Sequence, residues 1–164
     1  MLIELTPPDA APHVGSFSQA ILQGLDSALA PLAEVLHEEV SQRFETGTDP
    51  SGRPWAPLSE RTLLARAKRG FRGTRILIVT AILRNSYVPR IAREQRRVSI
   101  GPGGAAAVYA ATHQFGRGRI PARPVLPIGS AGPPPPAMVA ELRATVADAL
   151  RASLARWRAS RGTR

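Results

Sequence analysis

The stretch from Tyr109 to Pro127, YAATHQFGRGRIPARPVLP, sets a rigid arm between two differently built parts of the chain. A short apolar run of helical character (Val108, Tyr109, Ala111, Thr112, Phe115) stops at Gly116. An Arg/Gly turn follows at Arg117 to Arg119, and Ile120-Pro121-Ala122-Arg123-Pro124 is then forced into an extended path. Each proline fixes φ near about −65° and biases the residue before it away from the α region. His113 and Gln114, just ahead of the arm, carry side chains able to bond backbone groups that no ladder satisfies.

Working outward, residues 105–115 read as the helix that leads into this arm, and Val125 to Ile128 as a strand after it. Gly129 to Pro136 is a proline-rich linker, extended and semi-rigid. Beyond it, a C-terminal helix over residues 137–159 has a stripe of Val139, Leu142, Val146, Leu150, Leu154 and Trp157, with Arg143, Arg151 and Arg158 opposite. On the other side of the arm, Gly101 to Gly104 is loop. Tyr87 to Ile91 and Arg96 to Ile100 read as a hairpin around Ala92 to Gln95, with Pro89 placing the first strand at an edge. Thr80 is positioned to cap a small helix from Ala81 to Ser86.

The first third is built differently. Leu2 to Thr6 alternates like a strand ended by Pro7-Pro8, and residues 9–16 read as loop. From Phe17 to Glu45 the positions Ile21, Leu22, Leu25, Leu29, Leu32, Leu36, Val40 and Phe44 recur at helical spacing, with a break or kink expected at Pro31. Thr46 to Leu58 is dense in turn signals around Trp55, which Pro54 and Pro57 bracket. A large aromatic in so rigid a loop belongs in the core or at a partner surface. Ser59 caps a helix over Glu60 to Lys68, and the basic, glycine-rich residues 69–75 connect it to the apolar run Ile76 to Val79.

Composition sets the function classes. With 164 residues and 43% hydrophobic content, the chain is long enough for one domain with a real core. It has no cysteine, which excludes disulfides, thiolate metal sites and a cysteine nucleophile. The start, Met1 to Leu5, lacks the basic region of a signal peptide, and no stretch reaches the length of a membrane span, so a soluble protein made in the cytoplasm is expected. His13, His37 and His113 show no metal-ligand spacing, and no nucleophile motif supports catalysis. Neither a cofactor nor an enzyme is expected.

The net charge of +10 is distributed unevenly. Residues 1–60 hold nine carboxylates against Arg43 and Arg53, whereas residues 61–164 hold twenty cations against Glu94, Glu141 and Asp148. An acidic front and a basic back suit head-to-tail pairing between copies. The basic half alone would suit nucleic-acid phosphates.

Three blocks carry a resemblance. Phe44, then Asp49 to Ser59 with Thr62-Leu63, resembles the F…DPDGxPWxPLSxxTL block of the phage virion morphogenesis family, which includes the tail-completion proteins of contractile-tailed and Mu-like phages. Ile76-Leu77 with Thr80 to Ser86 is similar to its IL…TGxLxxS segment, with Ala81 where the family usually has glycine. Tyr109 to Gly116 with Ile120 to Pro124 is similar to its YAxIHQFG…IPARPFL block, with Val125 replacing the common phenylalanine.

The resemblance implies a virion protein at the head–tail junction or tail top, assembled in the bacterial host cytoplasm as a ring, a hexamer by expectation. Its partners would be further copies and the adjacent neck or tail-tube proteins, with DNA passing through the ring. The expected fold is α+β: a small antiparallel sheet packed by the first and last helices. Trp55, Tyr109, His113, Gln114, Phe115, Gly116, Pro121, Arg123 and Pro124 are the candidate motif and interface residues. On this reading the arm reaches a neighbouring subunit, so a chain bearing Arg123→Glu should fold but fail to oligomerise. The competing expectation is a nucleic-acid-binding protein that uses Arg66 to Arg75 and the C-terminal arginines.

Overall fold

The computed structural model describes residues 10–161. The strand read at Leu2 to Thr6 lies outside them. Helix α1 runs from Ala10 to Thr46, followed by α2 (Glu60–Lys68) and α3 (Ile82–Asn85). Strands β1 (Tyr87–Ala92) and β2 (Arg97–Pro102) form an antiparallel hairpin with Tyr87 opposite Pro102 and Ala92 opposite Arg97. Helices α4 (Ala107–Phe115) and α5 (Pro136–Ala159) complete the order, each preceded by a short 3-10 turn. The result is the α+β arrangement expected, with a two-stranded sheet flanked by long first and last helices.

The stripe of α1 explains its two partners. Val40 and Phe44 enter the main core with Trp55, Leu83, Tyr87, Ala106, Ala110 and Val125. Phe44 lies at its centre, with ring centroids 5.7 Å from both Trp55 and Tyr87. Nearer its N-terminus α1 packs along α5, and small residues set how close the two helices come. A Cβ on the buried Gly24 would lie 3.2 Å from the backbone Cα of Leu150 and from Cβ of Ser153. Ser153, itself buried, donates to the Ala20 carbonyl at 2.7 Å. Trp157 closes the far end, donating to Ser16 Oγ at 3.2 Å and meeting Phe17 edge-on.

Several local expectations are overturned. Residues 10–16 are helical rather than loop. Pro12 falls in the first turn, where a backbone N–H has no helical partner, so it does not oppose the helix. The break at Pro31 does not occur, and α1 is continuous through it. The ring faces solvent. The lost bond, about 3 kcal/mol in an isolated helix, is offset because α5 packs on α1 to either side, from Ser153 at Ala20 to Met138 and Val139 beside Leu36.

Val125 to Ile128 is not a third strand. The Val125 and Leu126 N–H groups are taken by the Gln114 side chain, so the segment has no ladder to join. Nor is the linker extended throughout, since Gly129–Ala131 forms a 3-10 turn. Thr80 does not cap α3; the cap position is Ala81, in the left-handed region at φ 58° with no side-chain bond. By contrast, Ser59 caps α2 as expected, its Oγ accepting from the Thr62 N–H at 3.3 Å.

Candidate functional site

The site is built from a loop, a short strained segment and the arm. In the loop, Asp49 is buried and its carboxylate organises the turn. Oδ1 accepts from Ser51 N (2.8 Å), Ser51 Oγ (2.7 Å) and Arg53 N (2.9 Å), while Oδ2 accepts from Arg53 Nε at 2.9 Å. Burial alone would raise its pKa, but the bonds from Ser51 and Arg53 outweigh burial and hold it below the ordinary carboxylate value. The Trp55 N–H then bonds the Gly47 carbonyl at 2.8 Å, which turns the indole into the core.

The arm begins at Gly116, where φ is 75° and an added Cβ would lie 3.0 Å from the backbone nitrogen of Ala122. Only glycine fits that turn. Arg117 and Ile120 exchange backbone bonds at 3.0 Å, and the Arg123 N–H bonds the His113 carbonyl at 2.6 Å. The Arg123 side chain, 6% exposed, turns inward. Its Nε donates to the Ala56 carbonyl at 2.8 Å and its Nη2 to the Pro57 carbonyl at 2.9 Å. A planar fork of fixed donors matches two successive carbonyls, which a lysine could not reproduce. Burial, and then the charge of Arg66, lower the pKa of Arg123.

Gln114 supplies the remaining fastening. Its Oε1 accepts from the N–H groups of Val125 (3.0 Å) and Leu126 (3.1 Å), and its Nε2 donates to the Leu126 carbonyl at 2.7 Å. One buried amide thus satisfies a backbone segment that would otherwise need a neighbouring strand. The His113 imidazole does not act this way: its buried Nδ1 has no hydrogen-bond partner, and burial, followed by the Arg123 charge, lowers its pKa. The neutral ring is therefore favoured, with Tyr109 edge-on to it at 6.1 Å between centroids.

Between these parts lies an open cleft of about 690 Å³. Pro57 and Leu58 line it from the loop, Thr62 and Arg66 from α2, Leu77 and residues 79–83 from the middle segment, and Tyr109, His113, residues 119–121 and Arg123 from the arm. In the middle segment Leu77 (φ 59°) and Ala81 (φ 58°) both hold left-handed backbone, a strained state for side chains that is retained only where the surroundings enforce it. The rim exposes Val79, Tyr109, Ile120 and, at 55% exposure, Ile82. The lining carries no carboxylate, and its one histidine, His113, has a buried Nδ1 without a hydrogen-bond partner. Among the described residues no cluster of three His, Asp or Glu could hold a metal ion.

A sequence model of the phage virion morphogenesis family matches residues 14–156. The chain belongs to that family. No curated protein and no solved structure matches it significantly. The three blocks that carry the family resemblance are the three walls of this cleft, brought together from stretches up to 69 residues apart by bonds such as Trp55 to Pro124.

The structure separates the sequence candidates into two sets. Trp55, Gln114 and Arg123 are buried, and Pro124 contributes its carbonyl to the Trp55 indole. These residues hold the chain to itself, so Arg123 is not free to reach a neighbouring subunit. Tyr109 and Pro121 line the cleft, Gly116 makes the turn, and the exposed Phe115 lies against Gly129, where a Cβ would come within 2.8 Å of the ring. Sequence reasoning missed Asp49 as an organiser, although Asp-Pro-Ser-Gly is an Asx-turn pattern. The competing nucleic-acid reading begins its phosphate contacts at Arg66. Arg66 Nη1 instead bonds the carbonyls of Gly73 (3.2 Å) and Arg75 (2.8 Å), closing the basic loop on itself.

Proposed function

We propose that the chain is a structural virion protein of a tailed bacteriophage that forms a homo-oligomeric ring at the head–tail junction or tail top and joins the two. The observation that carries this reading is the use made of the family blocks: they fasten loop to arm and leave an apolar-rimmed cleft instead of a reactive centre. Family membership gives that cleft its virion context. Charge supports pairing between copies. Glu34, Glu38 and Glu45 share one exposed face of α1 and make no ion pair among the described residues, whereas Asp26, Glu39 and Asp49 are paired within the chain. A heterologous contact between that acidic face and the basic second half of the next copy generates a closed ring when its rotation closes.

Six copies are the expected number, with neck or tail-tube proteins above and below and DNA in the lumen. Negative-stain imaging of the purified protein tests this: closed rings are expected, and a uniform population of monomers at all concentrations would reject it.

A second reading has one observation of its own. Arg66 fixes the 69–75 loop so that Arg69, Arg72 and Arg75 are all exposed together, which suits phosphate contacts. Affinity for short duplex DNA that falls steeply with salt would support it, and no affinity at low salt would remove it.

A further inference from the structure

The cleft has a composition that selects its occupant. Its lining is apolar at Leu58, Leu77, Val79 and Ile82, cationic at Arg66, Arg119 and Arg123, of which Arg66 and Arg123 are engaged by backbone carbonyls, and carries no carboxylate. Arg119 is exposed and makes no ion pair among the described residues. A complementary segment needs large apolar side chains beside a carboxylate. The α1 carboxylates without an ion pair among the described residues, Glu34, Glu38 and Glu45, share their helix face with Ser27, Ser41 and Gln42 rather than with large apolar side chains. Leu2-Ile3-Glu4-Leu5 has the required chemistry: three large aliphatic side chains around one carboxylate.

The length of α1 decides whose segment it would be. From Ala10 to Phe44 the helix advances roughly 50 Å at 1.5 Å per residue. Phe44 packs on Trp55, which is tied to Pro124 beside the cleft. Leu5 stands five residues before Ala10 and can reach at most about 18 Å from it. A chain therefore cannot fill its own cleft with these residues.

We propose that the cleft receives Leu2 to Leu5 of the neighbouring subunit, with Glu4 paired to Arg119. This rests on the ring reading and gives it a direction: donor end and acceptor end lie at opposite ends of α1, which is the geometry of a head-to-tail contact. It also assigns the strained Leu77 to Ala81 segment a role, holding the apolar wall open.

The absence of cysteine makes cross-linking decisive. Full-length chains bearing Leu5→Cys are mixed with full-length chains bearing Ile82→Cys, oxidised, and run without reductant; a chain carrying both substitutions is treated alone. The expected result is a disulfide-linked heterodimer well above either single-variant control, and a ladder of multiples from the double variant. Independently, Glu4→Arg and Arg119→Glu should each lower the oligomer mass seen by light scattering, and the two combined should restore it. Cross-linking no greater than in the controls, with wild-type protein still oligomeric, overturns this inference and leaves the ring intact. Wild-type protein that is monomeric at every concentration overturns the ring reading, and this inference with it.

Discussion

The indole N–H of Trp55 donates to the carbonyl of Pro124 at 2.8 Å, joining a proline-bracketed loop to a proline-stiffened arm 69 residues later. Each segment holds only an isolated bridge of its own, Thr48 with Pro54 and Arg117 with Ile120, so the bond and the burial of the ring do the work of a sheet between them. Trp55→Ala should cost about 3–5 kcal/mol through the cavity it leaves. Trp55→Phe keeps most of the packing but strands the carbonyl, for about 1–3 kcal/mol. Urea denaturation of both variants separates the two contributions.

Arg123 is the second fastening of the same loop. Arg123→Glu places a carboxylate against the Ala56 and Pro57 carbonyls inside the protein. The variant is expected to lose the fold rather than assembly alone, because an unpaired buried charge facing acceptors costs several kcal/mol. A cooperative, near-wild-type melting transition for this variant would contradict the geometry.

Gln114→Leu removes the acceptor for two backbone N–H groups and the donor for the Leu126 carbonyl. Each stranded buried group costs about 1–3 kcal/mol. Amide exchange at Val125 and Leu126 should accelerate more than the global loss of stability explains, which distinguishes local release of the arm from general unfolding.

Ala81→Gly should stabilise the protein. Left-handed backbone costs an alanine about 1–2 kcal/mol, and glycine's greater freedom in the unfolded chain takes back about 0.4–1 kcal/mol. A net gain of about 0.5–1 kcal/mol in urea is expected, and a loss would mean that the alanine methyl makes a contact worth more than the strain.

Two groups give stability a pH dependence. His113 has its pKa lowered in the fold, so the unfolded chain binds the extra proton first. Stability is lost as pH falls below the ordinary value of 6.5 towards the lowered one. Asp49 is also lowered, and its contribution goes as pH falls from 3.8 through its folded value. His113→Gln should remove the first of these declines and leave the second, as read by thermal melts across pH.

Much of this fold is legible where a local signal and the tertiary setting agree. Ser59 with Glu60 marks the start of α2, Lys68 its end, and alternation around a polar turn marks the hairpin. The reading fails where packing overrides a local rule or a side chain replaces a backbone partner. Pro31 breaks isolated helices, but α1, packed along α5, is continuous through it. Val125 to Ile128 looks like a strand because it is a short apolar run, yet the N–H groups of Val125 and Leu126 belong to Gln114. Of the site, the family blocks were visible as sequence, but not that Arg123 faces inward: an arginine between prolines carries no signal that two carbonyls wait for it 66 and 67 residues upstream.

The proposed function requires this protein to assemble with copies of itself. Light scattering of the purified full-length chain across a concentration series, at low and moderate salt, tests it most directly. The predicted result is a discrete oligomeric mass that resists dilution at low salt and weakens as salt screens the pairing of acidic and basic halves. A monomeric mass at every concentration and salt would contradict it.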